Sequence, residues 1–261
     1  MKDYMKVSCK LLHSLIMMRI ESRAADEIWF CLGGKKVRFS FWDFTLITGL
    51  NPSNEDRYEN DIPSGRRLAE EYFQGRKVVK PGELRDAFYT DAKNEDDRYK
   101  LGLALIYENV LKCKEINTSV DMEVLNIVDN LELFNKYPWG RKCYDILLYG
   151  LRKGFSKVPL AHYSLWGFPL ALQVWAFETV PAIRKFFRAK RTEQRLPRMC
   201  GWKSTLTCSF DEIIELLNAP INEILFPLTP TNKEEEQEYV RLFPTISEKN
   251  GPLIWSTRSR R

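Results

Sequence analysis

The segment GFPLALQVWAFETVP, residues 167–181, constrains the fold more than any other part of this sequence. It is apolar enough to be buried on all sides, yet it is shorter than the roughly 20 residues that a helix needs to cross a bilayer. Pro169 can occupy the first turn of a helix, and Pro181 interrupts that helix or starts another. The segment therefore predicts a short core helix in which Gln173 and Glu178 need polar partners.

The composition is that of a globular protein with a substantial core. Of the 261 residues, 44% are hydrophobic and 13% are aromatic, which argues against disorder. The net charge of +5 is mildly basic and permits an acidic partner without implying one. Because the six cysteines form no CxxC pair and the N-terminus does not read as a signal peptide, we expect reduced thiols in an intracellular protein with no membrane-spanning helix.

Apolar residues recur at helical spacing along most of the chain, with one change of period. Residues 27–41, EIWFCLGGKKVRFSF, are two β-prone runs around a Gly-Gly pair, which predicts a hairpin. Ser40 and Asp43 then form a variant of the capping box that opens a helix. Farther on, residues 97–112 predict a longer helix that buries one broad apolar face, Val110 included.

These patterns predict a mainly α fold, a single multi-helix globular domain with a small N-terminal β-hairpin. The helical core domain is expected over residues 8–190. Residues 191–249 are expected to form a C-terminal extension with two short helices that packs loosely or not at all, and residues 250–261 a basic, disordered tail.

No motif for catalysis, metal binding or cofactor binding stands out. The chain has only His13 and His162, and its cysteines are not spaced as zinc ligands. The run GGKK at 33–36 lacks the spacing of a phosphate-binding loop and falls in the predicted hairpin. We therefore expect a protein that is not an enzyme, with no catalytic residues, no metal and no cofactor.

Large aromatic residues beside glycine and proline turns suggest a surface for a protein partner. We expect an aromatic-rich groove between the hairpin and the helices, built from Trp29, Trp42, Trp139 and Trp166. The alternative is that these side chains pack in the core, where large aromatics dominate.

A second candidate surface is the basic strip, residues 184–203. Its cations are Arg184, Lys185, Arg188, Lys190, Arg191, Arg195, Arg198 and Lys203. Phe186, Phe187 and Trp202 lie among them, a combination that can follow a phosphate backbone and stack on bases. The alternatives are contact with an acidic protein, or a solvated helix face followed by a basic linker.

Several blocks, in order, resemble a plant-specific domain of unknown function found in transposon-derived proteins. In those proteins the domain often precedes a cysteine protease domain of the SUMO-protease type. The matching blocks are DEIWFCLGGKKVRFSFWDFTLITGLNP (26–52), LGLALIYENVL (101–111), VLNIVDNLELFNKYPWGRKCYDILL (124–148), YSLWGFPLALQVWAFETVPAI (163–183) and RMCGWKSTLTCSFDEIIELL (198–217).

The resemblance implies a helical module in a nuclear or nucleocytoplasmic setting and assigns no catalytic residue. The protease that accompanies such domains uses His, Asp and Cys in that order, and no cysteine follows His162 and Asp211 here. We expect that protease domain to be absent. The favoured function is a non-enzymatic protein-interaction module, and the alternative is nucleic-acid binding through the basic strip; the oligomeric state stays open.

Overall fold

The computed structural model describes residues 5–22, 24–113, 118–153, 165–192, 194–204 and 206–243. The strands are β1 (Arg19–Ile20), β2 (Glu27–Leu32), β3 (Lys35–Ser40), β4 (Lys190–Arg191) and β5 (Trp202–Lys203). The α-helices in the described residues are α1 (Cys9–Met17), α2 (Phe41–Thr48), α3 (Arg67–Phe73), α4 (Pro81–Asp86), α5 (Glu95–Ile106), α6 (Met122–Asp129), α7 (Leu131–Lys136), α8 (Trp139–Lys153), α9 (Leu170–Thr179), α10 (Pro181–Phe186), α11 (Phe210–Asn218), α12 (Asn232–Glu235) and α13 (Glu238–Arg241). The predicted mainly α class is confirmed.

Shorter helical turns complete the structure. Two π-helical segments continue α4 and α5, namely π1 (Ala87–Asp91) and π2 (Tyr107–Lys112). Three-residue and four-residue 3-10 turns cover Glu55–Arg57, Glu59–Asp61 and Arg198–Gly201. Among the helices of the described residues, none has both the length and the apolar character that crossing a bilayer requires.

The predicted hairpin is confirmed and belongs to a three-stranded sheet. Strands β2 and β3 pair antiparallel, and β1 adds to the other edge of β2. Gly33 and Gly34 have φ values of 54° and 79°, which two-residue hairpin turns of the primed type require. A Cβ atom on Gly33 would also lie 2.6 Å from the carbonyl oxygen of Ala219, so the turn fits closely against the C-terminal part of the chain.

The step from sheet to helix follows the predicted capping box. The Ser40 hydroxyl accepts from the backbone N–H of Asp43, and the Asp43 carboxylate accepts from the backbone N–H of Ser40 at 2.9 Å. Helix α2 ends at Gly49, whose φ of 66° places it in the left-handed region. Burial raises the pKa of Asp43 to about 6, although the hydrogen bonds from Ser40 act in the opposite direction.

Helix α9 lies at the centre of the core, as the apolar segment predicts. All residues from 171 to 180 are buried, and the ring of Trp175 contacts Phe30 and Phe39 from the sheet at 5.1 and 5.6 Å between centroids. The Gln173 amide accepts from the backbone N–H of Ser8 at 2.7 Å, so the buried amide finds a polar partner. The central helix thereby supports the sheet on one side and the N-terminal segment on another.

The expected loose packing of the C-terminal extension is wrong for its described residues. The backbone N–H of Gly33 donates to the Leu217 carbonyl at 2.7 Å, and the Trp42 indole donates to the Leu228 carbonyl at 3.0 Å. Apolar side chains of α11, among them Ile213, are fully buried with the rest of the core. The segment is polar on average, but its few apolar residues suffice to close the core. The boundaries at 190 and 249 remain a prediction, and residues 250–261 lie outside the described residues.

A buried cluster of charges joins the C-terminal segment to α9. The Arg198 Nε atom donates to Glu234 at 2.7 Å, and its Nη1 lies 3.3 Å from Glu178 on α9. The Nη1 of Arg191 lies 3.0 Å from the same Glu178 carboxylate, and the Trp202 indole donates to it at 2.9 Å. Burial favours a raised pKa for Glu234, but the hydrogen bonds from Arg198 and the backbone outweigh it and hold that pKa below its ordinary value. We refer to these five residues as the Glu178 cluster.

Replacing Glu234 with Gln tests whether the Glu178 cluster stabilises the fold. We expect the free energy of unfolding to fall by about 3–5 kcal/mol, because the buried arginines lose a partner that water does not replace. Urea denaturation followed by far-UV circular dichroism measures the change. The matched control is Glu132→Gln, which removes the same charge from an exposed pair with Lys136 and should leave the midpoint nearly unchanged. Equal midpoints for the two variants would contradict the prediction.

Asp43 should make stability depend on pH. The unfolded carboxyl loses its proton near pH 3.8, whereas the folded one keeps it to about pH 6. Between these values the native state binds more protons, so raising the pH destabilises it, by at most about 1.4 kcal/mol per pH unit. Asp43→Asn keeps an acceptor for the Ser40 N–H and should remove this slope. Urea midpoints from pH 4 to pH 6 test the difference, and parallel profiles for the two proteins would refute it.

Candidate functional site

The four tryptophans expected to form a groove contact different parts of the structure. Trp139 is buried at the start of α8, where its indole donates to the Phe134 carbonyl at 2.8 Å. Trp42 on α2 is half-buried, packs edge-on against Phe243 and donates to the carbonyl of Leu228. Both indoles hold neighbouring segments together. This agrees with the alternative in which the tryptophan side chains pack in the core.

The other two tryptophans are also half-buried. Trp29 on β2 donates to the Glu27 carboxylate at 3.1 Å and borders a cleft of about 490 Å³ whose lining includes Arg152. Trp166 lies elsewhere, with the Lys153 ammonium 4.4 Å from the centre of its ring. Since each of the four indoles packs against a different element, the structure does not bring them together in one groove.

An apolar groove is present at another place, between the α4–π1 segment and the α5–π2 segment. Its volume is about 460 Å³, and its lining consists of Arg85, Phe88, Tyr89, Tyr99, Gly102, Leu103, Leu105, Ile106, Asn109 and Val110. The exposed fractions of Tyr89, Tyr99, Ile106 and Val110 are 69, 57, 53 and 44%. Four large apolar or aromatic side chains exposed around one depression distinguish this surface from scattered exposed residues, which are common. We call it the α4–α5 groove.

Two features of the backbone shape the α4–α5 groove. Gly102 lies directly under the ring of Phe88, since a Cβ atom there would come within 3.0 Å of it, so the two helical segments approach closely at the base. The π-helical segments π1 and π2 each supply part of the lining. Single π turns are rare, and they are frequent at functional sites.

Val110 shows an error in the sequence-based prediction. The prediction placed Val110 on the buried face of the helix, but the structure leaves 44% of it exposed. Val110 follows Tyr99 and Ile106 at helical spacing, so it lies on the same side of the helix as they do, nine residues and half a turn away from buried Leu101. Tyr107 remains fully buried while Val110 turns outward. One signal in the sequence could have indicated this: α5 carries apolar residues on more than one face, and a single core cannot bury them all.

The structure separates the basic strip into two groups. Arg198 is 4% exposed and Arg191 is half-buried, and both belong to the Glu178 cluster, so their assignment as nucleic-acid contacts does not fit. The remaining cations are at least partly exposed: Arg184, Lys185, Arg188, Lys190, Arg195 and Lys203. Phe187 and Trp202 are buried and cannot stack on bases, which leaves only the half-buried Phe186.

Groups that could support chemistry are sparse in the described residues. No set of three or more His, Cys, Asp or Glu residues in this part of the chain is arranged to hold a metal ion. The ring of His13 packs against Phe210, and His162 lies outside the described residues. All six cysteines are free, and burial raises the pKa of Cys143 to about 12, far from that of a reactive thiolate.

About half of the chain matches a known family. Residues 16–149, which is 134 of 261 residues, match the family described as a domain of unknown function (DUF1985). The matched range contains the hairpin and the whole α4–α5 groove, whereas α9 and the basic strip lie beyond it. A search of curated proteins found no match, and neither did a search of solved structures. The chain belongs to the DUF1985 family, a family defined by a domain of unknown function.

Proposed function

We propose that this protein is a non-enzymatic protein-interaction module that binds an amphipathic helix of another protein in the α4–α5 groove. The observation that carries the proposal is the row of exposed apolar side chains between two helical segments, both of which become π-helical there. A partner was expected in an aromatic groove lined by tryptophans. The groove proposed here is lined instead by Phe88, Tyr89 and Tyr99.

The spacing of the exposed residues favours a helical partner. Tyr99, Leu103, Ile106 and Val110 follow one another at intervals of three or four residues, so they form a stripe along one side of the helix. This stripe is about 16 Å long, the length of three helical turns. A groove between two packed helices accepts the ridge of a third helix, and recognition then depends on apolar anchors at positions i, i+3 or i+4, and i+7.

The charges of the lining further define the partner. Arg85 is exposed at the groove, and its nearest acidic contact is a 4.0 Å approach to Asp86, too long to be a strong pair. Asn109, on the opposite side, donates its amide NH2 group to the Leu105 carbonyl at 2.9 Å, so its amide oxygen is the group that it offers. An acidic residue flanking the apolar anchors of the partner helix would complement Arg85 and set its direction in the groove.

Ile106→Lys tests the proposed binding mode. The probe is a display library of helical peptides with apolar residues at i, i+3, i+4 and i+7, selected against the full chain and measured by fluorescence anisotropy. We expect the variant to weaken binding of the selected peptides at least about tenfold, because it loses apolar contact and buries an ammonium group. The matched control is Met17→Lys on α1, since Met17 is 54% exposed and Ile106 is 53% exposed.

Three outcomes would overturn this assignment. The first is that no helical peptide is selected, and the second is that Ile106→Lys binds the peptides as well as the Met17→Lys control does. The third is that sedimentation reveals a dimer of the wild-type chain that Ile106→Lys dissociates, in which case the groove holds a second copy of the chain.

We also propose that this module works in the nucleus or nucleocytoplasm of plants, within a transposon-derived protein family. The support is the ordered resemblance of blocks such as 26–52 and 163–183 to the plant-specific domain. A fluorescent fusion of the chain in plant cells should accumulate in the nucleus. Exclusion of the fusion from the nucleus would contradict this location.

A further inference from the structure

The ribbon formed by β4 and β5 separates its residues into an inner and an outer set. Arg191 lies opposite Trp202 in the register, and both side chains reach inward to the Glu178 carboxylate. Lys190 lies opposite Lys203, and both are exposed. Side chains alternate between the two faces of a strand, so the inward anchoring of one pair directs the other pair to solvent.

The outward pair is unfavourable for the isolated protein. Like charges directly opposite each other on antiparallel strands repel and destabilise the ribbon. Neither lysine side chain forms an ion pair or a hydrogen bond within the described residues, and the same holds for the side chains of Arg184, Lys185, Arg188 and Arg195. Among the described residues these cations have no internal counter-charge, as a surface for an anionic partner requires; Glu193, the one acidic residue of the strip, lies outside them.

The tertiary structure adds a cation that is distant in sequence. The backbone N–H of Lys6 donates to the carbonyl of Ser204 at 3.0 Å, which brings the N-terminal segment beside β5. The side chain of Lys6 is also exposed. We define the basic surface as these seven residues: Lys6, Arg184, Lys185, Arg188, Lys190, Arg195 and Lys203.

We propose that the basic surface binds the phosphate backbone of nucleic acid without regard to sequence. The cations come from the N-terminal segment, α10, the turn after it, the ribbon and the loop that joins its two strands. A single small anion cannot contact them all, whereas a chain of phosphates can. Arginines in the set can form paired hydrogen bonds to phosphate oxygens. This proposal is independent of the α4–α5 groove, which lies on other elements.

Burial of Phe187 and Trp202 determines the mode of contact. These rings were expected to stack on bases, but both are enclosed in the core and cannot do so. Contact is then made by the cations alone, and contact by charge does not require unstacked bases. The Ser204 hydroxyl donates to the Phe187 carbonyl, and the Glu178 cluster holds the inner face of the ribbon. The cations therefore extend from a backbone that is already ordered, and a duplex is a suitable ligand.

The double variant Lys190→Glu/Lys203→Glu tests the proposal in the full chain. It replaces one like-charge pair with another, so repulsion within the ribbon is retained. The probe is a fluorescent 25-base-pair duplex of arbitrary sequence, titrated from about 50 to about 200 mM salt. We expect the wild type to bind with a steep salt dependence. The variant should bind at least tenfold more weakly, with a log–log salt slope smaller by about 2, since each phosphate contact contributes about 0.9.

The matched control is Lys36→Glu/Lys77→Glu. It makes the same change in net charge at two exposed lysines on other elements and should bind like the wild type. Lys190→Arg/Lys203→Arg should retain binding, and circular dichroism verifies the fold of every variant. The single variant Lys203→Glu should raise the melting temperature, because it creates an opposite-charge pair with Lys190, and yet weaken binding of the duplex.

Any of four results would overturn the proposal. The first is no binding of the duplex at about 50 mM salt, and the second is an equal loss of affinity in the test and control double variants. The third is tighter binding to phosphatidylserine vesicles than to the duplex, and the fourth is tighter binding to a poly-glutamate peptide than to the duplex. The last two would reassign the surface to a membrane or to an acidic protein. None of these results bears on the groove, because the helical-peptide assay uses different variants.

Discussion

A carboxylate in the last turn of the core helix organises the C-terminal part of this protein. Glu178 occurs on α9, where every neighbouring position from 171 to 180 is buried, and an unpaired charge there would be very costly. Its partners are Arg191, Arg198 and Trp202, which belong to a segment that leaves the core helix and returns. The need to pair one charge therefore determines how more than 20 later residues fold back on the core, and Glu234 from α12 completes the pairing.

The same pairing determines which cations of the β4–β5 ribbon are exposed to solvent. Strand residues that turn inward to Glu178 leave their neighbours, Lys190 and Lys203, facing solvent and each other. A basic segment is thus divided into cations that stabilise the fold and cations that are available to a partner. The α4–α5 groove arises differently, from helices that carry more apolar surface than one core can bury. Part of that surface stays exposed, at Val110 for example.

Local features were predictable from sequence because their causes are local. The hairpin depends on two glycines that tolerate positive φ, and the start of α2 depends on Ser40 and Asp43, three residues apart. Burial of α9 followed from its composition. Prediction failed where distant residues decide the outcome: the tryptophans do not share a groove because each indole is used by a different neighbouring segment, such as the Phe134 carbonyl for Trp139.

The amino-acid sequence alone therefore defined the helical class, the hairpin, the helix caps and the central apolar helix, since short-range sterics and hydrogen bonding control these features. Which basic residues are inside and which are outside was decided by tertiary packing. Arg198 and Lys203 belong to one basic run, but only their position relative to Glu178 makes the first a core residue and the second a surface cation. The position of the groove also needed the folded chain, because exposure of an apolar side chain depends on what packs against it.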